Sequence, residues 1–164
     1  FCPLKEYTKN GTDQVQFLIS TNVGEEPKPL HMVASGGELS RIMLAVKTVL
    51  ADDDDIPTLI FDEIDTGISG RTAQMVSEKL SYIGRNHQVL CITHLPQIAS
   101  MADRHYLIEK SSRTGKTETR IHKLDTEESV TELARLLGGA QITEAVLENA
   151  REMKKLAEQT KLTK

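Results

Sequence analysis

Three short stretches of the sequence carry residue types that can act on a phosphate. In Leu59-Ile60-Phe61-Asp62-Glu63, two carboxylates directly follow an apolar run. Carboxylates at the end of a buried strand lose solvation unless a cation or a reaction uses them. Successive strand residues point to opposite sides, so Asp62 and Glu63 can serve different partners. Asp62 suits Mg²⁺, directly or through water, and Glu63 suits orienting and polarising an attacking water. The plainer reading makes both of them solvated turn residues.

Ser35-Gly36-Gly37-Glu38 opens a helical pattern. As a capping box, Ser35 caps the first turn and Glu38 reaches back. Capping does not explain the two glycines, each of which costs about 1 kcal/mol relative to alanine in a helix interior. Glycines beside free N–H groups and the positive end of a helix dipole let a phosphate approach closely. Cap and anion site both stay open for this motif. Ile92-Thr93-His94 ends a second apolar run, and its imidazole is either structural or a donor to a terminal phosphate.

These residues need elements to hold them. Residues 15–20 alternate like a strand, and 22–29, with Gly24, Pro27 and Pro29, read as a loop. Over 38–50 the apolar positions Leu39, Ile42, Met43, Val46, Val49 and Leu50 recur at helical spacing. The acidic run Asp52 to Asp55 breaks that pattern and reads as a solvated turn. Strands are expected at 58–61 and 88–92, with a helix at 69–82 between them and a short helix at 96–101. A hairpin over 104–109 and 117–124 follows, then helices at 129–137 and 143–156 separated by Gly138-Gly139. Apolar strands alternating with helices predict an α/β fold with a mostly parallel sheet.

The 164 residues, 38% of them hydrophobic, suffice for one domain with one core over 1–164. A net charge of −4 excludes a chain that coats nucleic acid by bulk charge. Two distant cysteines imply no disulfide framework, and Cys91 within Val89-Leu90-Cys91-Ile92 reads as a small buried hydrophobe in a reducing cytosol. No stretch approaches the roughly 18 apolar residues of a membrane span. The N-terminus, Phe1-Cys2-Pro3-Leu4, shows no signal peptide pattern and no obvious element, which reads as the start of an excised piece.

Order and spacing together say more than any one stretch. Helix-opening glycines, then an acidic strand end, then a histidine after the next strand resemble the head of ABC-type ATPases. Ser35-Gly36-Gly37-Glu38 resembles the family signature, Leu59 to Glu63 the Walker B strand, Ile64-Asp65-Thr66-Gly67 the D-loop, and His94 the switch histidine. Ala34 in place of leucine and Glu38 in place of glutamine are closer to the SMC-like chromosome-maintenance and repair branch than to transporters. The resemblance implies the C-terminal lobe of a P-loop NTPase-like head, a bacterial cytoplasmic and nucleoid-associated protein, and ATP with Mg²⁺ as ligands. It implies partnership with an N-terminal lobe, a second head and, through the full-length protein, DNA. Ser35, Gly36, Gly37 and Glu38 would bind nucleotide on the opposite head. Asp62 would hold the metal, Glu63 and His94 would be catalytic, and Asp65 would belong to the D-loop.

The phosphate cradle itself is not in this sequence. Gly115-Lys116-Thr117 matches the tail of a P-loop, but Lys110 stands where its first glycine belongs, and 118–124 alternate like a strand. Residues 111–116 therefore read as a hairpin tip. Its charges (Lys110, Arg113, Lys116, Arg120, Lys123) belong to a solvated hairpin or touch DNA phosphates. The lobe is expected to hydrolyse ATP only with its N-terminal partner. A non-hydrolysing, nucleotide-sensing dimerisation module is the competing function, as is the head of another SMC-like or ABC ATPase.

Overall fold

A computed structural model describes residues 2–20, 24–32, 35–50, 55–113, 116–139 and 141–163, without the side chains of 112, 113 and 116. Ala34, most of the acidic run 52–55 and Gly115 lie outside the described residues. The centre of the fold is a β–α–β unit: β5 (Thr58–Phe61), the helix α2 (Gly70–Ile83) and β6 (Gln88–Cys91). The two strands pair in parallel, with Thr58 opposite Gln88 and Phe61 opposite Cys91. Four-residue apolar runs joined by an amphipathic helix leave few alternatives, because parallel strands need a long crossover.

Alternation along β5 decides where the core lies. Leu59 and Phe61 point into it, while Ile60 faces out and is 69% exposed. The core contains Leu44, Leu59, Phe61, Ile64, Val76, Leu80, Ile83 and Ile98, with Val89 and Cys91 packed against it. Leu44 comes from α1 (Gly36–Val49), and Ile98 from the short helix α3 (Pro96–Ser100). Burial pushes the Cys91 thiol up to about 12, and the charges of Asp65 and Asp62 add to the effect.

A second cluster joins α3 to α4 (Thr126–Gly138) and α5 (Glu144–Thr163) through Ala99, Val130, Leu133, Ala134 and Ala150. The helix α4 begins three residues before the expected start at 129. Asp125 and Glu128 form a full capping box there, each accepting a backbone N–H from the other. Gly139 ends the helix with φ 67°, a conformation that favours glycine. The helix α5 also continues past the expected end at 156, because Lys154 donates to the carbonyls of Ser100 and Ala102 and Lys161 pairs with Asp103 at 2.6 Å.

The remaining strands form antiparallel pairs: β1 (Cys2–Thr8) with β2 (Gly11–Gln14), β3 (Leu18–Ile19) with β4 (Lys28–Pro29), and β7 (Tyr106–Arg113) with β8 (Lys116–Lys123). The expectation of a mostly parallel sheet is thus met by β5 and β6 alone among the described residues. The strand expected at 15–20 shrinks to Leu18–Ile19. Residues following Gly115 form β8 rather than a helix, as expected of a hairpin and not of a P-loop. Lys110, Arg120 and Lys123 are exposed there, with Arg120 paired to Glu118 at 3.1 Å. No helix among the described residues is long and apolar enough to cross a membrane.

Leu133 is fully buried between α4 and α5, whereas Leu162 is 89% exposed. Leu133→Ala should lower unfolding free energy by about 2–5 kcal/mol, and Leu162→Ala by less than about 0.5 kcal/mol. Urea denaturation of the two variants checks this.

Candidate nucleotide-facing site

The backbone hydrogen bond from Ile92 N–H to Phe61 C=O (3.0 Å) continues the parallel pairing past β5 and β6. The two strand ends therefore release their chains side by side: Asp62-Glu63 from one, Thr93-His94 from the other. Asp62 and Glu63 are both exposed, and Asp62 Oδ1 accepts the Glu63 N–H at 2.9 Å. That bond helps hold Glu63 at φ 57°, in the left-handed region. Such a conformation costs a non-glycine residue about 1–2 kcal/mol. The next residue, Ile64, is fully buried and pins the loop to the core.

The N-terminus of α1 lies against this loop. Ser35 caps it by accepting the Glu38 N–H at 3.2 Å. Ser40 donates its hydroxyl to the Asp62 carbonyl (2.9 Å), and Arg41 Nη1 donates to the carbonyls of Ile64 (3.1 Å) and Thr66 (2.8 Å). Residues 36, 37, 40, 41 and 44 form one face of the helix, and that face meets the loop. A Cβ on Gly37 would lie 2.8 Å from the Glu63 carbonyl oxygen and 3.0 Å from that of Thr66. A Cβ on Gly36 would collide with the Glu63 carboxylate. The glycines thus have a use within the chain: they let the helix start sit on the loop that carries Glu63. Gly37 is buried by this contact, while Ser35 and Gly36 are exposed and Glu38 is half-buried.

Asp65 turns the other way. It is 4% exposed, and its Oδ2 accepts the Thr93 hydroxyl (2.7 Å) and the His94 backbone N–H (2.8 Å). The same oxygen lies 2.8 Å from His94 Nδ1, and the imidazole is otherwise open to solvent. Burial raises the Asp65 pKa, but the bonds from Thr93 and His94 and the charge of His94 outweigh it, leaving the carboxyl below its usual value. Asp65, expected in the D-loop, therefore spends its carboxylate inside its own chain.

Ser35, Gly36, Glu63, Asp62 and His94 all border one end of the parallel pair. Ser40, Arg41 and Thr93 were not among the expected site residues. The helical spacing of 36/37, 40/41 and 44 was the signal for the first two, and nothing in the sequence marks Thr93 beyond its position before His94. Among the described residues no three His, Cys, Asp or Glu side chains converge as a metal cage. One exposed carboxylate is nevertheless in keeping with Mg²⁺, which takes one or two carboxylates and completes its shell with waters and substrate phosphates. A cleft of about 370 Å³ lies elsewhere, between the start of α4 and α5, and includes His105, Lys154 and Lys161.

No family model matches the chain. It is 49% identical over 158 residues to the DNA repair protein RecN of Bacillus subtilis, covering 96% of this chain. It is 52% identical over 143 residues to RecN of Vibrio cholerae, covering 87% of this chain. The chain is homologous to RecN. It spans about a quarter of the RecN proteins it matches, 27% and 26% of these two. A solved chain from work on ATP-driven dimerization and DNA-stimulated activation of SMC ATPases overlaps 72% of this chain, with a TM-score of 0.49 and 22% identity.

Gly37→Ala should destabilise this RecN-like segment by about 1–3 kcal/mol, because two of the atoms a Cβ would meet are the backbone carbonyl oxygens of Glu63 and Thr66. Gly36→Ala should cost clearly less, since the Glu63 side chain can swing away; denaturant midpoints rank the two. The depressed Asp65 pKa stabilises the fold above the ordinary carboxylate pKa of about 3.9, and this contribution is lost as pH falls through the lower folded-state value. Stability curves of the wild type and Asp65→Asn should therefore converge as the solution is acidified below about pH 4.

Proposed function

We propose that this chain is the C-terminal lobe of the ATP-binding and hydrolysing head of a RecN-like DNA double-strand break repair protein, acting in the bacterial cytoplasm on nucleoid DNA. The observation that carries the reading is the meeting of exposed Ser35 and Gly36, the Asp62-Glu63 pair and the His94 ring at one end of β5 and β6, within a chain homologous to RecN. That end is where open α/β folds bind ligands.

In this reading the P-loop of an N-terminal lobe cradles ATP, and this lobe supplies the groups around the γ-phosphate. Asp62 would hold Mg²⁺, which when bound neutralises charge on the phosphate oxygens. Glu63 accepts a proton from the attacking water, and the His94 ring faces the terminal phosphate. Ser35, Gly36 and the start of α1, aided by Glu38, face the nucleotide of a second head; Gly37 contributes through the close packing that sets the position of the helix. ATP would then join two heads and hydrolysis release them, a cycle coupled to holding DNA.

Two bare apolar surfaces support the need for a further lobe. Ile60, Leu90 and Ile92 line the outer face of the parallel pair, at 69%, 47% and 53% exposure. Parallel strands are normally covered on both faces. Leu39, Met43, Val46 and Val49 form an exposed stripe along α1 as well, a second surface suited to the same lobe.

With a P-loop lobe added, the chain should release phosphate from ATP. Glu63→Gln should slow that release at least about 100-fold and prolong the ATP-bound dimer, followed by phosphate assay and size-exclusion chromatography. Turnover within about threefold of wild type would remove Glu63 as the base.

A further inference from the structure

Among the described residues, the His94 ring is held from one side. Its Nδ1 lies 2.8 Å from Asp65 Oδ2, and its side chain is 72% exposed against 5% for that of Asp65. The buried oxygen has two hydrogen-bond donors. One is the His94 backbone N–H at 2.8 Å. The other is the Thr93 hydroxyl, at 2.7 Å. Thr93 Oγ1 in turn accepts the Leu95 N–H at 3.0 Å, so its own proton is directed to Asp65. An ionised carboxylate only accepts hydrogen bonds. The contact with Nδ1 therefore requires a proton on that nitrogen.

We propose that Asp65 is a positioning residue for His94: it fixes the imidazole in the Nδ1–H tautomer and leaves Nε2 as the ring nitrogen that faces a bound phosphate. The proposal rests on the ATPase reading for its role in turnover, but not for the tautomer. It has a chemical consequence. Neutral His94 then presents an acceptor, not a donor, at Nε2. To donate to a phosphate oxygen, the ring takes a proton from solvent at Nε2 and becomes an imidazolium, which keeps its Nδ1 side against the Asp65 carboxylate. The same carboxylate thus orients the ring and stabilises its charged form, the part that an aspartate plays behind a histidine base. It also ties the loop after β5 to the residue after β6, so a shift of Glu63 would be felt at His94.

Ring-¹⁵N-histidine labelling and long-range ¹H–¹⁵N correlation of the 164-residue chain read the tautomer directly. His94→Gln identifies the His94 signals among the five histidines. The neutral wild-type ring should carry its proton on Nδ1, against the usual preference of histidine for Nε2–H. Asp65→Asn should move it toward Nε2–H, and Thr93→Val should leave it on Nδ1. In the complete protein, with its P-loop lobe, Asp65→Asn should lower kcat by about 10- to 100-fold and change KM for ATP by less than about threefold. A wild-type ring protonated on Nε2 overturns the proposal even if the variant fails to fold. So does a folded variant with unchanged tautomer or unchanged kcat. If the unmutated complete protein turns over no ATP, the ATPase reading fails, while an Nδ1–H ring would still establish the Asp65–His94 arrangement.

Discussion

Asp65 leaves the end of β5, turns inward and collects hydrogen bonds from Thr93 and His94 beyond the end of β6. The rest of the site depends on this contact, because two strands in parallel register do not by themselves hold the chains that leave them. A buried carboxylate without donors would cost several kcal/mol. Here its partners hold the carboxyl below its ordinary pKa despite burial. The charge is thus tolerated, and it locks the two strand exits to each other.

A second constraint is steric. The start of α1 approaches the Glu63–Thr66 backbone closely enough that residue 37 can have no side chain without displacing a carbonyl. Ser40 and Arg41 take up the carbonyls of Asp62, Ile64 and Thr66, which the turn leaves without strand partners. The left-handed Glu63 sits between these contacts. Strained backbone of this kind persists only where its surroundings over-determine it. Here the buried Ile64 on one side and the helix start on the other do so. One glycine thus has a packing role, and its neighbour leaves space for the carboxylate proposed to act on water.

The apolar surfaces show how one pattern can have two meanings. The helical spacing of Leu39, Met43, Val46 and Val49 is real, yet in this chain Leu44 provides the buried apolar contact of α1 while the stripe remains exposed. Likewise β5 and β6 bury one face and bare the other. Periodicity reports that a face is to be covered; it does not say by which part of the protein.

Much of this was legible from one dimension. Local chemistry placed α1, β5, α2 and β6 nearly where they lie, because short apolar runs, a serine cap and helix-period residues act over a few positions. The same signals placed Asp62-Glu63 and His94 at strand ends. The sequence missed the Asp125–Glu128 cap, which moved α4 by a turn, and overstated the parallel sheet, since strand pairing is a property of partners distant in the chain. Tertiary structure alone decided that Asp65 faces inward to His94, that Gly37 is buried against the Glu63 loop, and that Glu63 adopts a positive φ. Those outcomes depend on where separate elements come to rest against each other, a matter of long-range packing that residue type and spacing do not encode locally.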